Sequence, residues 1–135
     1  MRSSESRSRN MQAVRGKNTK PELVVRKAAH SLGLRFRLHR SDLLGRPDLT
    51  FPKWQTVLFV NGCFWHQHAN CARSKLPKGN KEFWSTKLTR NVERDRRNYR
   101  LLEEQGWRVV VIWECDLHRS GAIGLLEKHF IRSSI

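Results

Sequence analysis

Between Thr19 and Gly33 the apolar positions Val24, Ala28 and Leu32 recur every four residues among charged neighbours, the pattern of a helix with one inward stripe. Its ends are marked as well: Thr19 is a good N-cap, Pro21 suits the first turn, Glu22 completes a capping box, and Gly33 stops the helix. The period then changes to two. Leu34, Phe36 and Leu38 alternate with Arg35, Arg37 and His39, which predicts a half-buried strand. "DLTF" and "TVLFVNG", separated by the turn-like "PKWQ", predict a hairpin, and the continuous apolar run Val57–Val60 predicts a central strand covered on both faces. After an irregular stretch, a long helix runs from an Asn80 cap to Gly106, with Leu88, Val92, Tyr99 and Leu102 on its buried side. "WRVVVIWEC" reads as a second fully buried strand, and a short amphipathic helix, roughly "GAIGLLEKHFI", closes the chain. The order is α-β-β-β-α-β, an α/β domain with a mixed sheet flanked by helices.

Residues 1–18 stand outside this pattern. They form a polar, basic arm with at most a helical turn or two around "SRNMQAV", too polar to bury much, so the arm is either disordered or held by a partner. Residues 19–135 read as one domain, long enough for a core. No apolar run approaches the roughly eighteen residues of a membrane span, and the N-terminus lacks the apolar segment of a secretory signal. The expected compartment is the cytoplasm, with no membrane partner.

Charge narrows the partner. Twenty-seven Lys and Arg against 12 acidic residues give a formal charge of +15. Residues 1–40 carry eleven basic side chains against Glu5 and Glu22, and residues 73–100 carry ten against three acids. Such a chain should associate with a polyanion, because each neutralised phosphate releases condensed counterions. Excess positive charge is a poor route to solubility alone. Nucleic acid is therefore the favoured partner, with a basic RNA-associated protein as the blandest alternative.

The densest chemistry lies in "VNGCFWHQHANC", residues 60–71. Three cysteines in a reducing compartment argue against a disulfide framework, and an odd number cannot all pair within one chain. Cys63, Cys71 and Cys115, with His68 or His66, can instead supply the thiolate and imidazole ligands of a structural zinc site. Cys63 and Cys115 each follow a predicted buried strand, so both emerge at one sheet edge if those strands are neighbours. The bland reading is three buried, inert cysteines.

Asp48 opens a strand after a Gly-Arg-Pro turn, where a carboxylate is well placed to hold Mg²⁺, although an aspartate after proline is more often a turn residue. Phosphodiester hydrolysis also needs a base to activate water, and His66 serves if the strand ending at Gly62 lies beside Asp48. Glu22 is either only a capping residue or a carboxylate that points into the same cleft and orients His66. Phe64, Trp65 and Trp84 sit outside any core pattern amid positive charge, which suggests stacking on bases, against a small satellite core under the loop. Trp107 and Trp113 bracket a strand and read as structural. The run "ERDRR" reads as a solvated helix face, with Arg94 and Asp95 alternatively bracing the core.

The blocks "SRNMQAVRGKNTKPE", "GRPDL", "GCFWHQH", "EFW", "NVERDRR" and "GWRVVVIWEC" stand in the order and spacing of the very-short-patch repair (Vsr) endonucleases, and the chain resembles that family over about residues 7–119. The resemblance implies a restriction-endonuclease-like α-β-β-β-α-β fold. It also implies Mg²⁺-dependent nicking of duplex DNA 5′ to the thymine of a T·G mismatch, the lesion left when 5-methylcytosine deaminates. The functional partner is then a cytosine-5 DNA methyltransferase, the site of action the nucleoid, and a monomer suffices for a single-strand cut. Carried over by position, the family pattern makes Asp48 the side-chain Mg²⁺ ligand, helped by the carbonyl of Val60, with His66 as general base and Glu22 as an acidic partner. Cys63, His68, Cys71 and Cys115 match structural Zn²⁺ ligands. Phe64, Trp65 and Trp84 match aromatics that intercalate beside the mismatch, and Met11 lies in an arm that closes over DNA.

Two departures from the family pattern stand out. Asn61 occupies the position where the family has a second active-site histidine, and asparagine can hydrogen-bond but cannot carry a proton at neutral pH. Between His68 and Cys71 stand two residues where one is expected, a difference that loop slack absorbs. The alternatives are a restriction-type or mobile-element nuclease that ignores mismatches, and a catalytically weakened, zinc-stabilised DNA-binding protein.

Overall fold

The computed structural model describes residues 19–130, so Met11 and the rest of the expected arm lie outside the described residues. Helix α1 (Lys20–Ser31) leads into strands β1 (Arg37–Leu38), β2 (Leu49–Phe51) and β3 (Thr56–Asn61). The long helix α2 (Lys81–Glu104) crosses back to β4 (Arg108–Trp113), and helices α3 (Glu114–Ser120) and α4 (Ala122–Phe130) follow. The sheet runs β1-β2-β3-β4; β1/β2 and β2/β3 are antiparallel, whereas β3 and β4 are parallel, from Thr56↔Arg108 to Asn61↔Trp113. This is the expected mixed sheet in the expected order. Among the described residues no helix is long and apolar enough to cross a membrane.

Strand alternation divides the core between two layers. Leu58 of β3 and Val110 and Ile112 of β4 join Val25, Ala28 and Ala29 of α1 and Leu126 and Phe130 of α4. Val57 and Phe59 point the other way, onto Leu102 and Tyr99 of α2. The central strand is thus covered on both faces, as its continuous apolar run requires.

Several local expectations are corrected. Val24 is 51% exposed while Val25 is fully buried, so the inward face of α1 is Glu22, Val25, Ala28 and Ala29. A strict four-residue spacing drifts around a helix of 3.6 residues per turn, and the three-and-four alternation wins. Only Arg37 and Leu38 of the alternating segment pair with β2. Leu34 is buried before the strand begins, and Leu38 is 42% exposed on the sheet edge. β4 is also an edge strand: Val110 and Ile112 are buried, but Val109, Val111 and Trp113 are only partly covered. The closing helix forms as expected in α4, but a short helix the pattern did not predict, α3, precedes it, and Gly121 with a positive φ of 78° separates the two. Asn80 does precede α2, but its side chain makes no capping hydrogen bond.

Gly45 fixes the approach to β2. Its φ is +74°, and an added Cβ would meet the Phe59 ring at 3.2 Å and Asn98 Nδ2 at 3.3 Å. The positive φ favours glycine here, and a side chain would press on Phe59 and Asn98, against which the loop lies as it leads to Asp48.

Candidate functional site

Because β3 and β4 are parallel, their C-terminal ends coincide, and Cys63 and Cys115, each two residues past its strand, emerge together. His68 and Cys71 join them from the loop, and the four ligand atoms lie within 4.8 Å of one another. His68, not His66, is the imidazole in this group. Its ring stacks on Trp113 at 4.2 Å, nearly parallel, and its Nδ1 lies 3.3 Å from Cys115 Sγ. The loop is braced by Ser74, whose hydroxyl donates to the carbonyls of His68 and Cys71, and by Gln67, whose amide donates to those of Phe64 and Ser74. Burial pushes the Cys63 thiol up to about 12, whereas the backbone N–H of Arg73 holds Cys71 below its ordinary value. A buried thiol of this kind becomes a thiolate when a cation compensates it, and three sulfurs with one imidazole nitrogen suit a tetrahedral, thiophilic ion. The residues present fit such an ion.

A second cluster lies at a cleft of about 1020 Å³ between the start of α1, the entry to β2, the end of β3, and α2. The N–H of Val60 donates to Asp48 Oδ2 at 2.7 Å, which anchors the carboxylate where the chain enters β2. Burial pushes Asp48 up to about 7; the Val60 bond opposes the shift, and the neighbouring Glu22 carboxylate adds to it. Glu22 is 1% exposed despite its charge, with Oε2 2.6 Å from Arg26 and 2.8 Å from His39 Nε2. Thr19 caps α1, its hydroxyl accepting from the Glu22 N–H at 3.4 Å. Ligand atoms of Glu22, His39 and Asp48 all lie within 4.8 Å of one another. A buried and a half-buried carboxylate converging with an imidazole fit a divalent cation, which would relieve their mutual repulsion.

His66 faces the same cleft from the loop. Its Nδ1 lies 2.5 Å from Asp95 Oδ2 on α2. A carboxylate only accepts, so Nδ1 carries the proton of this bond and Nε2 is left as the acceptor. The partner of His66 is Asp95, and Glu22 instead contacts His39 and Arg26. Arg94, 51% exposed, stands 3.6 Å from Asp95 rather than bracing the core. Asn61, 3% exposed, continues the Val57–Phe59 face and donates to the hydroxyl of Tyr99 at 2.9 Å.

Phe64, Trp65 and Trp84 converge, with ring centroids 5.0 to 5.8 Å apart. Asn91 of α2 fixes the loop by donating to the Trp65 carbonyl at 3.1 Å. Phe83, which sequence pattern did not single out, extends the cluster at 5.3 Å from Trp84 and is 58% exposed, with Lys87 above both rings. Trp107 packs in the second core, in keeping with a structural role. His39 and Asp95 are the other residues that pattern missed. Asp95 stands in a charged run that reads as a solvated face or a core brace, and alternation sends His39 to the solvent face of a strand.

Residues 2–73 match the family described as DNA mismatch endonuclease Vsr. The Type II nicking enzyme V.XorIIP of Xanthomonas oryzae is 51% identical over 90% of this chain and 88% of its own length. The DNA mismatch endonuclease Vsr of Escherichia coli is 43% identical over 83% of this chain and 71% of its own. The catalytic domain of the homing endonuclease I-Bth0305I has a similar fold, with a TM-score of 0.58 at 20% identity over 87% of this chain and 99% of that domain.

Proposed function

The chain belongs to the Vsr family of DNA mismatch endonucleases, and from that premise we propose that it nicks one strand of duplex DNA 5′ to the thymine of a T·G mismatch, using Mg²⁺ in the cleft and Zn²⁺ in the cysteine cluster. The observation that carries this reading is the pairing of His66 Nδ1 with Asp95, which leaves the other ring nitrogen as an acceptor at a cleft lined also by Asp48. His66 Nε2 takes the proton of the attacking water, and Asp95 orients the ring and stabilises the imidazolium that forms. Asp48, with the carbonyl of Val60, and Glu22 would hold Mg²⁺, which when bound polarises the phosphate and stabilises the leaving oxygen. Asn61 hydrogen-bonds within the cleft wall and takes no part in proton transfer.

Cys63, His68, Cys71 and Cys115 would hold Zn²⁺ and fold the loop that carries His66. Phe64, Trp65 and Trp84, on the same loop and the first turn of α2, stack beside the mispaired bases, where a mismatch makes unstacking cheapest. The basic arm with Met11 closes over the duplex, and a cytosine-5 methyltransferase in the same cytoplasm generates the lesion.

A strand-resolved nicking assay tests the reading, comparing a T·G duplex in several sequence contexts with its T·A control. The expected result is a cut 5′ to the mismatched thymine, absent in EDTA. Equal cutting of both duplexes would indicate a nuclease without mismatch specificity. Tight binding without cutting, reversed by Asn61→His, would indicate a weakened enzyme.

A further inference from the structure

Sequence periodicity sends His39 to solvent, but the fold turns it inward. The residue takes a left-handed φ of 46°, a conformation uncommon for a side chain other than glycine, and its N–H bonds to the Asp48 carbonyl at 3.3 Å. The imidazole is thereby drawn under α1, with 13% of its side chain exposed. Nε2 is fully buried and 2.8 Å from Glu22 Oε2, yet makes no aligned hydrogen bond. A buried nitrogen that faces a carboxylate at this distance without an aligned hydrogen bond, on a left-handed residue, is placed to give its lone pair to a cation shared with that carboxylate. Asp48 lies on the other side, with its ligand oxygen, that of Glu22 and an imidazole nitrogen of His39 within 4.8 Å of one another.

We infer that His39 is a third protein ligand in the cleft, so that its divalent-cation centre is a two-carboxylate, one-imidazole site that favours Mn²⁺ over Mg²⁺. The inference rests on the cleft being the metal centre, as proposed above, and adds the nitrogen donor and the ion preference it brings. Mg²⁺ is hard and selects oxygen, whereas first-row divalent transition ions accept imidazole readily. An all-oxygen set of Asp48, Glu22 and a carbonyl accepts both ions; an imidazole widens the preference for Mn²⁺, because Mg²⁺ gains little from a nitrogen donor. A merely structural His39, paired with Glu22, would not affect the ion preference.

The test uses full-length, zinc-loaded protein without DNA. Mn²⁺ binding is followed by loss of the hydrated-ion EPR signal, Mg²⁺ binding by calorimetry, and nitrogen ligation by ¹⁴N couplings in pulsed EPR. The expected result is bound Mn²⁺ with ¹⁴N couplings that become ¹⁵N couplings on histidine labelling, persist in His66→Ala and vanish in His39→Gln. Mn²⁺ affinity should fall at least about tenfold in His39→Gln, on the scale at which even partners of metal ligands act, and Mg²⁺ affinity should fall less. Glutamine keeps a polar side chain opposite Glu22, and the absence of nitrogen coupling in the wild-type spectrum would by itself overturn the assignment should the variant fail to fold. Mn²⁺ that Asp48→Asn displaces but that shows no nitrogen coupling, or a coupling that survives His39→Gln, would overturn the assignment of His39 and leave the cleft as a metal centre. Mn²⁺ that fails to bind, or that binds Asp48→Asn equally well, would overturn both.

Discussion

Asn61 and Tyr99, 38 residues apart, are joined across the sheet and α2 by a 2.9 Å hydrogen bond from the amide to the phenol. The bond occupies the position at which the Vsr pattern has a histidine, and Asn61 is buried. Burial raises the Tyr99 hydroxyl above its ordinary range, so the phenol stays protonated. Tyr99→Phe should strand a buried donor and cost about 1–3 kcal/mol in urea unfolding. Asn61→Ala should cost less, because the hydroxyl lines the cleft and can turn toward water. The double variant should be less destabilised than the sum of the two.

His66→Ala should lower the nicking rate by roughly 10²–10⁴-fold, the range of general acid–base catalysis, with the melting temperature little changed. Asp95→Asn should give a smaller loss, since the amide oxygen still accepts from Nδ1 but no longer stabilises the imidazolium. Single-turnover rates on a T·G duplex measure both. Equal losses would show that the Asp95 carboxylate is as necessary as the imidazole, through charge or through the tautomer it fixes, and no loss in either would remove His66 from the reaction.

Asp48 sets a pH dependence of stability in protein free of added Mg²⁺ or Mn²⁺. Burial, reinforced by Glu22, raises its folded-state value from the ordinary 3.8 to about 7. Between those two values the folded protein holds a proton that the unfolded chain has released, so the contribution of Asp48 is present at acid pH and is lost as pH rises through about 7. Asp48→Asn should melt higher than wild type at pH 8 and differ least near pH 4. Thermal unfolding of both proteins across this range checks the sign, and their difference removes the titration of the cysteines, common to both.

The cysteine cluster should contribute to folding rather than to the chemistry. Cys63→Ser and Cys115→Ser should lose bound zinc, melt lower and accumulate less soluble protein, because metal binding there is folding free energy. Zinc analysis with calorimetry distinguishes this from loss of a small buried side chain. A soluble, zinc-free, fully active Cys115→Ser protein would remove the structural role.

Much of the protein was determined by the sequence itself. The apolar run Val57–Val60, the Thr19–Pro21 start of α1 and the cluster of Cys63, His68 and Cys71 are local features, written in spacing and capping chemistry within a dozen residues. The Vsr motifs add the role expected of each. Tertiary structure decided which side chains meet. His66 finds Asp95 29 residues away, and Asn61 finds Tyr99, only once α2 has crossed from β3 to β4 and its register over the sheet is set. His39 is the sharpest case: a single left-handed residue at the end of a two-residue strand reverses the face that alternation predicts. Periodicity records the average direction of a segment, and neither a one-residue change of φ nor a contact across a crossover leaves a trace in it.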